Sequence, residues 1–464
     1  AGRRATMQGR AGTGTRTRRG VLAALLSGGA TGALVACGAG SSAPAGGAGA
    51  GGTSGAAGEI VYMTPWSGVQ LEIMQEVNNL FSQKFPRIKV NVAPQPSNGY
   101  DGVVASFAAG AAPDSLWVAG QYGPRLYDSD ELIDVTDRFK VAKMDLQKDY
   151  ISSKLELWQG KLRGVPETVS PHAWYYNKSM LKQAGGKDPW DDLKGDWTWA
   201  DLLDGSKRTT KDGQDQWGIQ LDYASAWYQN GGFIWTNDGK LIDTAPDPGN
   251  WRKWRYTFSD PRSVEAFQFI YDLLHTHRVM LPKEDTARVT PPGSSPWMGG
   301  KVWSFENSSG QLSGPRRTPP GFEWDVAPIP RAKVGGRVGV PLWSGNPTGI
   351  WKGSKLQDAA WEWARFKALD DAQNFFSRGK TVTAALKRSL TIADGFESPP
   401  PAHVSVFRAV KFEDSGSWHY HPRFQETEQI ASRELTAAFK KEKTLRQALQ
   451  DIDVACNAIM DRQV

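Results

Sequence analysis

Cysteine is scarce in this chain: only Cys37 and Cys456 occur in 464 residues. Two thiols cannot staple a fold of this size, so a disulfide scaffold is excluded. No run of about 20 apolar residues occurs, which excludes a multi-pass membrane protein. The 50 glycines follow no three-residue period and aromatics reach 11%, which excludes collagen-like and wholly disordered chains. Internal repeats, a G-x-S-x-G elbow, a GxxxxGK(S/T) loop and a zinc-protease HExxH are all missing. Acidic residues are absent before Glu59, whereas residues 1–36 hold six arginines. Removing those six from 55 leaves 49 basic residues against 49 acidic. The net charge of +6 therefore belongs to the N-terminal segment and does not argue for nucleic acid. What remains is length enough for two or three domains, each able to bury a core.

The first 58 residues read as an export leader and a tether. Arg16 to Arg19 precede an apolar run from Val21 to Val35, too short to span a bilayer, and the run ends in Leu34-Val35-Ala36-Cys37. This resembles the lipobox of bacterial lipoproteins, with Cys37 as the lipidation site, and Thr17-Arg18-Arg19 resembles a twin-arginine export signal. Residues 1–36 would be the signal peptide. Residues 38–58 are Gly, Ala, Ser, Thr and Pro alone, a composition with nothing to bury, and 21 such residues reach roughly 25 Å on average. With Cys37 they form the tether, 37–58.

The body begins with strand, helix, strand, helix, strand. The apolar run Glu59–Met63 suits a buried strand; Ile73, Met74, Val77, Leu80 and Phe81 recur at helical spacing. Ile88, Val90 and Val92 alternate with polar residues, Asp101–Ala109 suits a helix, and Pro113–Val118 a third strand. That order predicts an α/β fold with a mostly parallel sheet, whose ligands sit beyond the carboxyl ends of the strands. Caps are predicted at Thr198, at Asp260 before Pro261, at Ser354 and at Thr444. Asn237-Asp238-Gly239 between two apolar runs predicts a tight hairpin.

From Trp174-Tyr175-Tyr176-Asn177-Lys178 onward, the residues resemble a known family. Tyr-Asn-Lys, a helix ending in Ala184-Gly185, then Asp196-Trp197-Thr198-Trp199-x-x-Leu202 are similar to the signature of family 1 extracellular solute-binding proteins. These are the maltose-binding-protein-like sugar receptors of bacterial ABC importers. Ala112-Pro113-Asp114, Gly231-Gly232-Phe233, Gly299-Gly300-Lys301-Val302, Pro328-Ile329-Pro330 and Asn346-Pro347-Thr348-Gly349-Ile350 agree in order. Val302-Trp303 and Trp343-Ser344-Gly345 depart from the usual pattern and bring large aromatics. The resemblance implies a two-lobed, hinged, periplasmic-binding-protein-like fold (type II) with a cleft between the lobes. One lobe would span 59–168 and 330–378, the other 169–329 and 379–464. It further implies a monomer exported to the outer face of the cytoplasmic membrane. Its partners would be a carbohydrate and the ABC permease with its ATPase; nucleic acid, cofactor and metal have no part.

All 20 tryptophans follow residue 59. Sugar rings offer apolar C–H faces that indoles cover and a hydroxyl rim that polar side chains bind. By position relative to the family motifs, Trp117, Gln121, Ser170, Asp222, Tyr223 and Glu306-Asn307-Ser308 match ligand-contact places. Chemistry and loop placement add Trp66 with Ser67, Glu167, Trp227, Trp343 with Ser344, Asn346 and Tyr420. Three rival readings stand beside this one. Glu167 and Glu306 could be the carboxylate pair of an anchored glycoside hydrolase. The same receptor could carry polyamine, phosphate or iron. His275-Thr276-His277 and His419-Tyr420-His421 invite a metal, but i and i+2 point apart on a helix and no Cys or acid completes the set. Cys456, on the apolar face of the last helix, reads as an unreactive buried thiol.

Overall fold

The computed structural model describes residues 55–462 apart from 98, 152–155, 212, 214, 244–247, 338–341, 381 and 410–419. The predicted leader, Cys37 and all but the last residues of the tether lie outside the described residues. Everything below concerns the compact unit that begins at Thr53.

The expected opening is present. Strand β1 (Gly58–Thr64), helix α1 (Gly68–Lys84), strand β2 (Ile88–Pro94), helix α2 (Tyr100–Ala108) and strand β3 (Ser115–Trp117) follow one another, and β1 pairs in parallel with both β2 and β3. Helix α1 buries Ile73, Met74, Val77 and Phe81, the i, i+1, i+4, i+8 stripe that its sequence spells.

The centre of the molecule is strand β4 (Val165–Asn177). After it come helix α3 (Trp199–Thr209), strand β5 (Trp217–Gln220), helix α4 (Gly231–Thr236) and helix α5 (Pro261–His275). Strands β6 (Val302–Ser308), β7 (Trp324–Ala327) and β8 (Leu342–Ile350) follow, then helices α6 (Gln357–Ala368) and α7 (Asp370–Arg378) and the short strand β9 (Thr383–Ala384). Helices α8 (Phe424–Phe439) and α9 (Leu445–Met460) close the chain. The nine strands run in the order β2-β1-β3-β8-β4-β6-β5, with β7 and β9 also paired to β4.

β4 serves two groups of partners in succession. Its first half, Val165–Pro171, pairs with β8 and β9; its second half, His172–Asn177, pairs with β6 and β7. A strand with neighbours on both edges is a poor place for proline, yet β4 contains Pro166 and Pro171. The ladder with β8 accommodates them by register shifts, one between Leu342 and Ser344 beside Pro171, the other between Asn346 and Thr348 near Pro166. Strand alternation then sorts the side chains. Thr168, Ser170 and His172 share one face; Glu167, Val169, Ala173 and Tyr175 share the other.

The caps at Thr198 and Asp260 are formed: Thr198 and Asp201 make a reciprocal capping box, and Asp260 accepts from the Arg262 N–H. Thr444 accepts from Gln447 N–H. Ser354 is not the cap residue: α6 starts after Leu356, whose N–H the Ser354 hydroxyl accepts at 3.0 Å while donating to the Asp114 carboxylate at 2.6 Å. Nor is the hairpin present. Phe233-Ile234-Trp235 belongs to α4, all six residues of which are buried, while Ile242–Asp243 pairs instead with Arg255–Tyr256. Three apolar residues in a row fit a buried helix turn as well as a strand, and burial on all sides selected the helix.

Candidate functional site

Where β4 changes partners, its even-numbered face gathers polar groups from both strand sets. Trp117 Nε1, at the carboxyl end of β3, donates to Thr168 Oγ1 at 3.5 Å. Asn346 Nδ2 donates to Ser170 Oγ at 3.1 Å and to Thr168 Oγ1 at 3.4 Å. Two residues further along, His172 Nδ1 lies 2.5 Å from Glu306 Oε1, and the Tyr228 ring stands edge-on to the imidazole with centroids 4.6 Å apart. Tyr228 Oη donates to Asn307 Oδ1 at 2.6 Å, and Ser308 is the register partner of His172. The loop carrying Tyr228 is fixed from below: Gln229 Nε2 bonds Glu306 O at 3.1 Å and Asn230 Nδ2 bonds Tyr223 O at 3.0 Å. The result is a largely buried polar row along β4, with Trp117 beside Thr168 at one end and, at the other, the His172–Glu306 pair with Tyr228, whose hydroxyl reaches Asn307, the register partner of Ala173.

The family of proteins built this way is shown by the sequence itself. The model of the bacterial extracellular solute-binding proteins matches residues 78–400. The chain belongs to that family. Its fold is shared by solved structures of low identity. An ABC substrate-binding protein of Listeria monocytogenes in complex with cycloalternan is 20% identical, with a TM-score of 0.73 over 87% of this chain and 99% of that one. Maltose-bound MalE3 of T. maritima is 20% identical, with a TM-score of 0.70 over 86% and 99%. UgpB of Mycobacterium tuberculosis in complex with glycerophosphocholine is 18% identical, with a TM-score of 0.71 over 88% and 99%. The architecture is thus that of the two-lobed periplasmic binding proteins.

Within this solute-binding fold the anticipated residues divide. Trp117, Ser170, Asn346, Asn307, Ser308 and Glu306 belong to the row just described, and Gln121 follows β3 with a buried, unpartnered Oε1. Five others are held in the interior. Trp66 is 7% exposed and packs edge-on to Phe376. Trp227 is 3% exposed, wedged among Tyr256, Phe258 and Phe424. Tyr223 stacks on Phe439 at 4.5 Å, and Tyr420 meets Phe424 edge-on. Glu167 accepts from Tyr62 Oη at 2.9 Å, Thr348 Oγ1 at 2.5 Å and Lys367 Nζ at 2.6 Å, on the face of β4 opposite Ser170. Each of these five side chains is packed or hydrogen-bonded inside, and Thr168, Asn346 and Glu306 of the row are buried as well. Ser67 is exposed ahead of α1, and Asp222 pairs with Lys283 at 3.1 Å. The side chains of Trp343 and Ser344 lie outside the described residues.

Tyr228, His172 and Thr168 were missed. Parity was the available signal: if Ser170 faces a ligand, residues 168 and 172 do too. Tyr228 gave none, since a loop pair such as Trp227-Tyr228 has no period to assign its faces.

The electrostatics of the row are muted. Burial raises the pKa of Glu306, against the opposing pull of His172, and its other oxygen, Oε2, is buried without a partner. Apart from Glu306 and His172, the groups of the row are hydroxyls, amides and aromatic rings without charge. Among the described residues no group of His, Cys, Asp and Glu is arranged to hold a metal ion. His275 Nε2 bonds Phe439 O at 2.9 Å, and His421 Nε2 bonds Tyr256 Oη at 2.8 Å. Cys456 is buried, with its thiol pushed up to about 12 by desolvation. No helix among the described residues is long and apolar enough to cross a membrane.

Proposed function

We propose that this extracellular solute-binding protein captures a carbohydrate, an oligosaccharide by the extent of the polar row, and hands it to an ABC permease. The observation that carries the reading is the chemistry of the row on β4. Thr168, Ser170, Asn346, Asn307 and Tyr228 can each donate and accept, as a hydroxyl-rich guest requires, while Trp117 and Tyr228 offer ring faces for its C–H surfaces. Aromatic cover falls to these two rather than to Trp66 and Trp227. On this reading the lobes divide as expected from the sequence (59–168 with 330–378, and 169–329 with 379–464). β4 passes between them, and the two register shifts beside its prolines give the closing motion its pivot. Export by the leader, lipidation at Cys37 and a loose tether would hold a monomeric body at the membrane face.

A glycoside hydrolase is disfavoured by a specific geometry. Its carboxylates must face each other across the scissile bond, but Glu167 and the His172-bound Glu306 belong to opposite faces of β4, and Glu167 is taken up by Lys367. The test is isothermal calorimetry of the purified chain against maltotriose, cellotriose, phosphate and glycerophosphocholine, with chromatography of the sugar afterwards. Saturable sugar binding with the sugar recovered intact supports the proposal. Binding of phosphate or glycerophosphocholine alone, or sugar cleavage, refutes it.

A further inference from the structure

Helix α8 packs beside α2 and the loop after β3. Gln425 Nε2 donates to Asp101 Oδ1 of α2 at 3.1 Å, and Glu428 lies one turn further along the same helix. Tyr122 stands beside them, stacked on Tyr100 with ring centroids 4.0 Å apart, and follows Gln121 in the chain. Desolvation and then the Glu428 charge raise the Tyr122 pKa, and Glu428 acts on Tyr420 and Tyr256 in the same way. The Glu428 carboxylate is half-buried and has no hydrogen-bond or ion-pair partner among the described residues. Gln121 Oε1 and Gln425 Oε1 are also buried without a donor.

These groups share one property: each is an acceptor waiting for a donor. The cations that line the Glu428 groove are committed, Lys283 to Asp222 at 3.1 Å and Arg433 to Glu434 at 2.8 Å, and Arg423 is held by Glu426 at 2.9 Å, while Arg125 borders Asp101 and Gln425 on the other side of the helix. Glu428 also borders a groove of about 600 Å³ lined by Asp222 and Ser225 beyond β5 and by Ser432 and Thr436 of α8, a size that suits a small ligand. A half-buried carboxylate without a partner is costly for the empty protein, and the cost is removed by a guest that brings both donors and positive charge. A hydroxyl brings a donor but no charge. An ammonium brings three donors, no acceptor and the missing charge.

We propose that Glu428 receives a protonated amine of the solute, with Gln121 and Gln425 as further acceptors beside Tyr122. On the carbohydrate reading, on which this rests, the solute is an amino sugar. Calorimetry of the full chain tests it with matched probes: D-glucosamine against D-glucose, D-galactosamine against D-galactose, the glucosamine trimer against cellotriose, and spermidine alone. At least one amino sugar should bind tenfold or more tighter than its hydroxyl counterpart, and Glu428→Gln should remove that preference. The ligand-free E428Q variant should melt no lower than the parent, which separates a ligand-facing carboxylate from a structural one. Neutral sugars binding as well as their amino counterparts would overturn the amine site and leave the carbohydrate reading standing. Spermidine binding that E428Q abolishes, with no sugar bound, would keep the amine site and remove the carbohydrate reading. An amine preference that survives in both E428Q and E428A would overturn the assignment to Glu428.

Discussion

Lys367 Nζ lies 2.6 Å from Glu167 Oε2, and neither side chain is exposed to solvent. The ammonium also stands 3.5 Å from the centroid of the Tyr62 ring, whose hydroxyl binds the same carboxylate. Burial lowers the Lys367 pKa to about 8, against the pull of Glu167, so the ammonium keeps its charge at neutral pH. It ties β1 and α6 to β4 beneath the polar row. Removing one partner strands a charge in the interior. Lys367→Met should therefore destabilise the protein by about 3–5 kcal/mol, while the double variant Lys367→Met/Glu167→Gln should recover most of that loss. Urea unfolding of the two singles and the double closes the cycle. Additive losses would show that the two groups do not act as a pair.

Trp117 and Trp227 separate binding from stability. Trp227 is enclosed by Tyr256, Phe258 and Phe424, so Trp227→Ala leaves a cavity and should cost about 3–5 kcal/mol in unfolding free energy. Trp117 is half-buried at the end of β3, with its Nε1 on Thr168. Trp117→Ala should leave the melting temperature nearly as it was and weaken ligand binding tenfold or more, equivalent to about 1.4 kcal/mol. Calorimetry and thermal melts on the same two preparations decide the matter, and exchanged effects would reverse the assignment.

Gly218 is where β5 meets α3 most closely. A Cβ there would stand 2.6 Å from both the backbone Cα and the carbonyl oxygen of Ser206, and backbone cannot step aside as a long side chain can. Gly218→Ala should cost about 1–3 kcal/mol, the usual range for overpacking. Gly213→Ala is the contrasting control: nothing lies within 4 Å of a Cβ there, and only its φ of +74° is strained. Chemical denaturation of the two variants measures the difference, and a smaller loss at 218 than at 213 would contradict the close approach.

How far the sequence could be read followed from where periodicity exists. β1 to β3 and the helices between them were legible to within a few residues, because each buries one face and its apolar spacing says which. The caps at Thr198 and Asp260 were legible because a side-chain oxygen ahead of a helix has one evident use. The family signature around Tyr175–Lys178 located β4, but naming Glu167 and Ser170 together as ligand contacts ignored strand parity, which puts them on opposite faces. Loops carry no such rule. Trp66, Trp227 and Tyr420 were chosen for being aromatic beside polar neighbours, a description that fits a core residue at a loop base equally well. Glu428 was invisible for a related reason: on α8 it reads as one more polar position, and only its lack of a partner marks it.

His421 gives the molecule a pH dependence whose sign follows from its neighbours. Its Nδ1 accepts from the Arg423 backbone N–H at 3.2 Å, so the neutral ring carries its proton on Nε2. That nitrogen donates to Tyr256 Oη, which in turn donates to Thr427 Oγ1 at 2.6 Å, which donates to Phe424 O at 2.8 Å. Trp251 covers the ring at 5.5 Å. Protonating Nδ1 would break this relay at its start. Burial, and secondarily Arg423, lower the His421 pKa from 6.5 to about 3. Between those values the unfolded chain binds the proton and the folded one does not. Stability from this residue is therefore full above pH 6.5 and is lost as pH falls toward 3, by roughly 4–5 kcal/mol at most. Melting temperatures from pH 7.5 to 4 should fall more steeply in the parent than in His421→Gln, which has no proton to take up. Parallel curves would mean that His421 is not held neutral by its burial.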